Sequence, residues 1–132
     1  ATGKTIDLTM RPKDQRVTLV DNPPMQSKKR PFESHGDHAV LVAPVRDGAG
    51  EQVGRMHAIF TVAGGRKRDT KELVQGTLAL RDGHLVFGGM IGAGDSDVTA
   101  VLGGTGAYAG TGGTMTTADA GGDLSIRIEL GD

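Results

Sequence analysis

The sequence has no cysteine and no tryptophan, and only three Phe and one Tyr among 132 residues. Without Cys there is no disulfide framework, no thiol nucleophile and no thiolate-held zinc or iron–sulfur centre. So few aromatics cannot build a base-stacking surface, and no recognition helix or strong positive charge compensates, which excludes nucleic acid as a partner. No apolar run approaches the roughly 18 residues of a membrane-spanning helix, so no membrane partner is expected. Helical periodicity is almost missing as well. The chain starts at Ala rather than Met. That fits a secreted product after signal-peptide removal slightly better than a cytoplasmic one, although trimming would leave the same end.

Glycine is what the chain has in quantity: 22 residues, 15 of them within 72–132. Charge is split as well. Residues 1–71 carry 13 Lys and Arg against 8 Asp and Glu, or +5, and residues 72–132 carry 2 against 8, or −6. The basic runs Lys28-Lys29-Arg30 and Arg66-Lys67-Arg68 lie beside Pro or Gly and read as solvated loops, with an anionic partner as the functional alternative.

Period-two alternation recurs along the whole length. Thr5–Met10 alternates, and Arg16–Val20 reads as its continuation after an irregular stretch. Asp21-Asn22-Pro23-Pro24 then stops it, and residues 21–37 form a long polar loop. Further strands are expected at His38–Arg46, Gln52–Val62, Glu72–Leu80, His84–Gly92, Val98–Leu102, Thr114–Ala118 and Leu124–Leu130. Asp47-Gly48-Ala49-Gly50 and Arg81-Asp82-Gly83 are hairpin turns. Short strands at regular spacing predict one all-β domain over 1–132, an eight-stranded antiparallel up-and-down barrel, with a sandwich as the alternative. Glycines inside strands suit the coiling of a small barrel.

In Gln52–Val62 one face is Gly54, Met56, Ala58, Phe60 and Val62. The other mixes Val53, Arg55, His57, Ile59 and Thr61. A strand apolar on one side and half-apolar on the other predicts a lined lumen and an outer surface covered by another subunit, so a homo-oligomer, dimer or trimer, is expected.

Several polar residues could carry chemistry. Arg55 and His57 share one strand face, and Arg127 lies between Ile126 and Ile128. Pointing inward, the arginines could hold a carboxylate or an enolate-like oxygen and His57 could act as acid or base; pointing outward, they are surface residues. Glu33, or His35 in His35-Gly36-Asp37-His38, could shuttle a proton at a barrel mouth. That cluster lacks a recognised metal spacing and a distant third ligand, so no metal site is assigned. Gly103-Gly104-Thr105-Gly106 is no phosphate loop, because the β-branched and glycine-rich residues after it are poor helix formers.

Gly103-Gly104-Thr105-Gly106-Ala107-Tyr108-Ala109-Gly110, followed by glycine at 112 and 113, resembles the GGTGxYxGxxG signature of the allene oxide cyclase and dirigent-like β-barrel superfamily. Val53–Phe60 is similar to a strand of those proteins, and the hairpin order agrees over about 38–130. Thr111-Gly112-Gly113 stands where many relatives carry Arg, and the acidic residues that dirigent proteins place around their pocket have no match assigned. The resemblance implies a bacterial member with a short, often trimeric eight-stranded barrel and an apolar lumen. It also implies a cofactor-free isomerase or cyclase of secondary metabolism acting on a small, largely apolar metabolite. A non-catalytic small-molecule-binding or stereo-directing barrel is the alternative, and a barrel filled by its own side chains a third reading. Met56, Phe60, Phe87 and Tyr108 are then expected on the substrate wall, Tyr108 serving otherwise to pack the glycine-rich turn onto the barrel.

Overall fold

The computed structural model describes residues 3–20, 36–64, 71–92 and 96–131. The alternating segments form nine strands: β1 (Lys4–Met10), β2 (Arg16–Val20), β3 (His38–Arg46), β4 (Gln52–Gly64), β5 (Lys71–Leu80), β6 (Gly83–Ile91), β7 (Ser96–Gly104), β8 (Gly112–Ala120) and β9 (Asp123–Gly131). Every pairing is antiparallel. The hydrogen-bonded order is β1-β9-β8-β7-β6-β5-β4-β3-β2, and β1 meets β3 again where Thr9 lies opposite Arg46.

Nine strands make an eight-staved barrel because β1 and β2 share one stave. β1 runs along β9, from Lys4 opposite Leu130 to Met10 opposite Leu124. β2 then runs along β3, from Arg16 opposite Val42 to Val20 opposite His38. Between them Pro12–Asp14 forms a single 3-10 turn, the irregular stretch expected from the sequence. Arg46 holds it against the end of β3, with Asp14 Oδ2 3.4 Å from its Nη2 and Nη1 donating to the Gly50 carbonyl at 3.0 Å. Closure leaves few strand edges to solvent.

Alternation decides which side chains go in. Paired residues share a sheet face, so Leu41, Ala58 and Gly76 line up inward, as do Ala43, Met56, Leu78 and Leu85. Met10, Leu78 and Ile128 at the centre are fully buried.

The glycine-rich run departs from its sequence reading. Gly103-Gly104 and Gly112-Gly113 belong to β7 and β8, and only the connection between them turns. Their lack of side chains is what lets that connection fold back. A Cβ at Gly104 would stand 2.7 Å from Tyr108 Cβ, and Gly106 takes φ +62° with its Cα hydrogen facing the Asp82 carbonyl, where a Cβ would be 2.5 Å from that oxygen. Tyr108 is thereby laid over one end of the barrel, 5% exposed. Its hydroxyl donates to Asp82 Oδ1 at 2.8 Å, and Lys4 Nζ lies 5.5 Å from its ring centroid. Together with the β3–β4 and β5–β6 turns this makes a closed end. The opposite end, toward the β4–β5, β6–β7 and β8–β9 connections, is the mouth as the described residues leave it.

Candidate functional site

The sequence-assigned residues fall into three places. Arg55 and His57 alternate with the inward Met56 and Ala58, so both stand exposed on the outer face of β4. Arg127 is 60% exposed on β9 and donates from Nε to Asp7 Oδ1 at 2.9 Å. The pair holds the Asp7 carboxyl below its ordinary range, chiefly through the hydrogen bond, and pushes Arg127 up. The inward alternative for these three residues is therefore corrected: strand parity turns them away from the lumen. Met56, Phe87 and Tyr108 do lie inside or across its closed end, but packing consumes them, each at 5% exposure or less. Phe60 alone among the expected wall residues is inward, half-buried and near the mouth. Glu33 and His35 lie outside the described residues.

Of the His35-Gly36-Asp37-His38 cluster, the two described ionisable residues, Asp37 and His38, point to different surroundings. Asp37 is fully buried, its backbone bonded to Val62, whereas His38 is exposed and its Nδ1 lies 2.9 Å from Thr61 Oγ1. Among the described residues no group of three or more His, Asp or Glu could hold a metal ion.

At the mouth the inward rows change character. Glu72 follows Val74 in the inward row of β5, opposite Val62 on β4 and Ile91 on β6. Asp97 follows Thr99 in the inward row of β7, opposite Thr117, and its Oδ1 accepts from the Gly92 amide at 3.3 Å. Both carboxylates are half-buried. Burial pushes the Glu72 carboxyl above its ordinary value, and the negative charge of Asp97 adds to the rise. Beside them stand half-buried Ile91, opposite Glu72, and Phe60, opposite Val74. On β2, Val17 and Leu19 share the sheet face of Leu41 and Ala39 yet remain 53% and 56% exposed. Below, the interior is filled; here, apolar side chains that face inward are not fully covered by the described residues.

The mouth is thus an apolar rim around two carboxylates, one of them held toward its protonated form. That environment suits proton exchange with a bound molecule. The sequence carried a signal for it. Reading β5 and β7 by parity puts Glu72 in line with Val74 and Leu78, and Asp97 in line with Thr99 and Val101. A carboxylate in an otherwise inward row is the exception worth noticing.

No family model matches the chain, and no curated protein matches it either. Solved structures do. A pyocyanin demethylase is 21% identical, with a TM-score of 0.81 over 97% of this chain and 100% of that one. A pterocarpan synthase dirigent protein is 15% identical, with a TM-score of 0.70 over 98% of this chain and 86% of that one. An exo-specific intermolecular Diels-Alderase is 15% identical, with a TM-score of 0.73 over 98% of both chains. At these identities the likeness is one of architecture. The chain folds as a dirigent-like β-barrel.

Proposed function

We propose that the chain is a cofactor-independent cyclase or isomerase that takes a small, largely apolar metabolite into the barrel mouth. The observation that carries this reading is the pairing of half-buried Glu72 and Asp97 inside an apolar rim. Phe60 and Ile91 would hold the substrate in a folded, reactive shape and keep water from it. Glu72, whose carboxyl burial and the Asp97 charge push above its ordinary value, would in its acid form give its proton to a developing oxyanion and recover one from an acidic C–H of the same molecule. Atoms and charge balance without an oxidant or reductant, and the product is an isomer. Barrels of this architecture include a Diels-Alderase and a dirigent protein, which agrees with shape-imposed chemistry. The second reading, a stereo-directing barrel without chemistry of its own, uses the same apolar rim and leaves Glu72 idle.

One variant reads out binding. The chain lacks Trp, so Phe60→Trp places a single fluorophore at the mouth. Titration with the neutral dye Nile red is expected to quench it saturably. A quench that does not saturate overturns the mouth as a site. Chemistry is read by deuterium exchange at the acidic C–H of small cyclic enones. Glu72→Gln should keep dye binding and lower exchange by about 10²-fold or more, the usual worth of a positioned acid–base group. Equal exchange in both proteins overturns the catalytic role and leaves the stereo-directing one.

A further inference from the structure

One pleat below Asp97, the inner wall of β7 carries a further polar side chain. Thr99 is only 7% exposed. The inward row it belongs to is otherwise apolar: Phe60 lies opposite Val74, Val74 opposite Gly89, and Thr99 opposite Met115. Gly88 faces Ala100, which brings Gly89 beside Thr99. Deeper on β7 comes buried Val101, part of the filled interior. Thr99 thus stands where the packed core ends and the mouth begins.

A hydroxyl in such a place costs free energy unless its hydrogen-bonding capacity is met. Only part of it is met. Thr99 Oγ1 donates to the Met115 carbonyl at 3.4 Å, which is long for a bond between oxygens. That bond commits the proton. The lone pairs of the same oxygen accept no hydrogen bond from any described residue. A valine would fill the same shape without that deficit. The wall beside the hydroxyl is recessed as well. Gly89 has no side chain, so the place a Cβ would take, 3.5 Å from Thr99 Cγ2, is left vacant.

We infer that Thr99 determines which molecules the mouth accepts, its lone pairs receiving an O–H or N–H carried on the inner end of an apolar substrate. This rests on the mouth being the substrate site, and it names the class of substrate within that site: an apolar molecule bearing a hydrogen-bond donor, such as a phenol or an enol. Two residues along a strand span roughly 7 Å, so a donor bonded to Thr99 leaves the outer part of the molecule level with Asp97 and Glu72. The methyl ether of the same molecule has nothing to donate. It sets oxygen lone pairs against those of Thr99 and leaves the buried hydroxyl unmet.

Competition for the mouth tests this, on the Phe60→Trp chain with Nile red bound. 4-tert-Butylphenol is expected to displace the dye at about five- to tenfold lower concentration than 4-tert-butylanisole, the net worth of one hydrogen bond. Thr99→Val should bring the two competitors level, and Thr99→Ser should keep the preference. The readout is the ratio within each protein, because a merely structural loss at Thr99 weakens both competitors together. Thr99→Ala takes the place of the valine variant if that one does not fold. A phenol preference that survives in Thr99→Val overturns the inference and leaves the mouth standing, and so does the lack of any preference in the parent chain. Nile red that fails to bind saturably removes the mouth itself, and this inference with it.

Discussion

Tyr108 donates its phenolic hydrogen to Asp82 Oδ1 at 2.8 Å, tying the β7–β8 connection to the β5–β6 turn across the closed end of the barrel. Burial pushes the phenol up to about 12, and the Asp82 hydrogen bond and charge reinforce the rise. As the only Tyr in a chain without Trp, it reports on its own ionisation. Absorbance at alkaline pH is expected to show a single transition centred near 12 rather than at the ordinary tyrosine value of 10.0. Because the folded pKa is raised, the stabilisation is complete below 10.0 and is lost as pH rises through about 12. Tyr108→Phe should cost about 1 kcal/mol, the net worth of one hydrogen bond. A transition at the ordinary tyrosine value would show that the ring is not held over the barrel end.

Gly76 is empty because Phe87 fills its place. A Cβ on Gly76 would run into Phe87 Cζ and stand 2.9 Å from the His57 carbonyl. Gly76→Ala is therefore expected to destabilise by about 1–3 kcal/mol, the usual range for overpacking. Adding Phe87→Leu should recover part of that loss in urea unfolding, giving a non-additive pair. Recovery stays partial because the carbonyl is backbone and cannot move aside as a side chain does. Additive losses would mean that the two residues do not share this space.

Glu72 gives the mouth a pH signature. Its carboxyl is raised by burial and by the negative charge of Asp97. A carboxyl raised on folding contributes stability that is complete below its unfolded value of about 4.5 and is lost as pH rises through the folded value. Glu72→Gln should flatten stability against pH above that point, because the amide has no charge to bury. Thermal melting of both proteins from pH 4 upward checks this. Parallel curves would place Glu72 in solvent.

Strand order, hairpins and the barrel were legible because alternation sets one face inward all round, and because turns such as Arg81-Asp82-Gly83 leave the chain little choice of direction. The mouth was not. Arg55, His57 and Arg127 stood out as reactive types, yet alternation alone labels two faces without saying which is inside. That was settled by pairing: Met56 lies opposite Ala43 and Leu78, fully buried residues, so its neighbours Arg55 and His57 must point out. Glu72 escaped notice for the converse reason. Next to Lys71 it looks like an ordinary charged strand end, and only closure of the barrel brings it toward Asp97 from two strands away.

The Asp7–Arg127 pair provides the sharpest check on that reversal. It spans β1 and β9, with Nε to Oδ1 at 2.9 Å, and both side chains are about 60% exposed. An exposed pair gains little, because water and salt screen it and two long side chains must be held still. Asp7 is lowered by Arg127, so its contribution is present above the unfolded value of 3.8 and lost as pH falls through the folded one. Arg127→Gln is expected to leave the neutral-pH melting temperature and Nile red binding unchanged. In carbon-detected NMR the Asp7 carboxyl should move back up toward 3.8. Loss of dye binding in this variant, with the fold intact, would return Arg127 to the ligand site and require β9 to present its other face to the lumen.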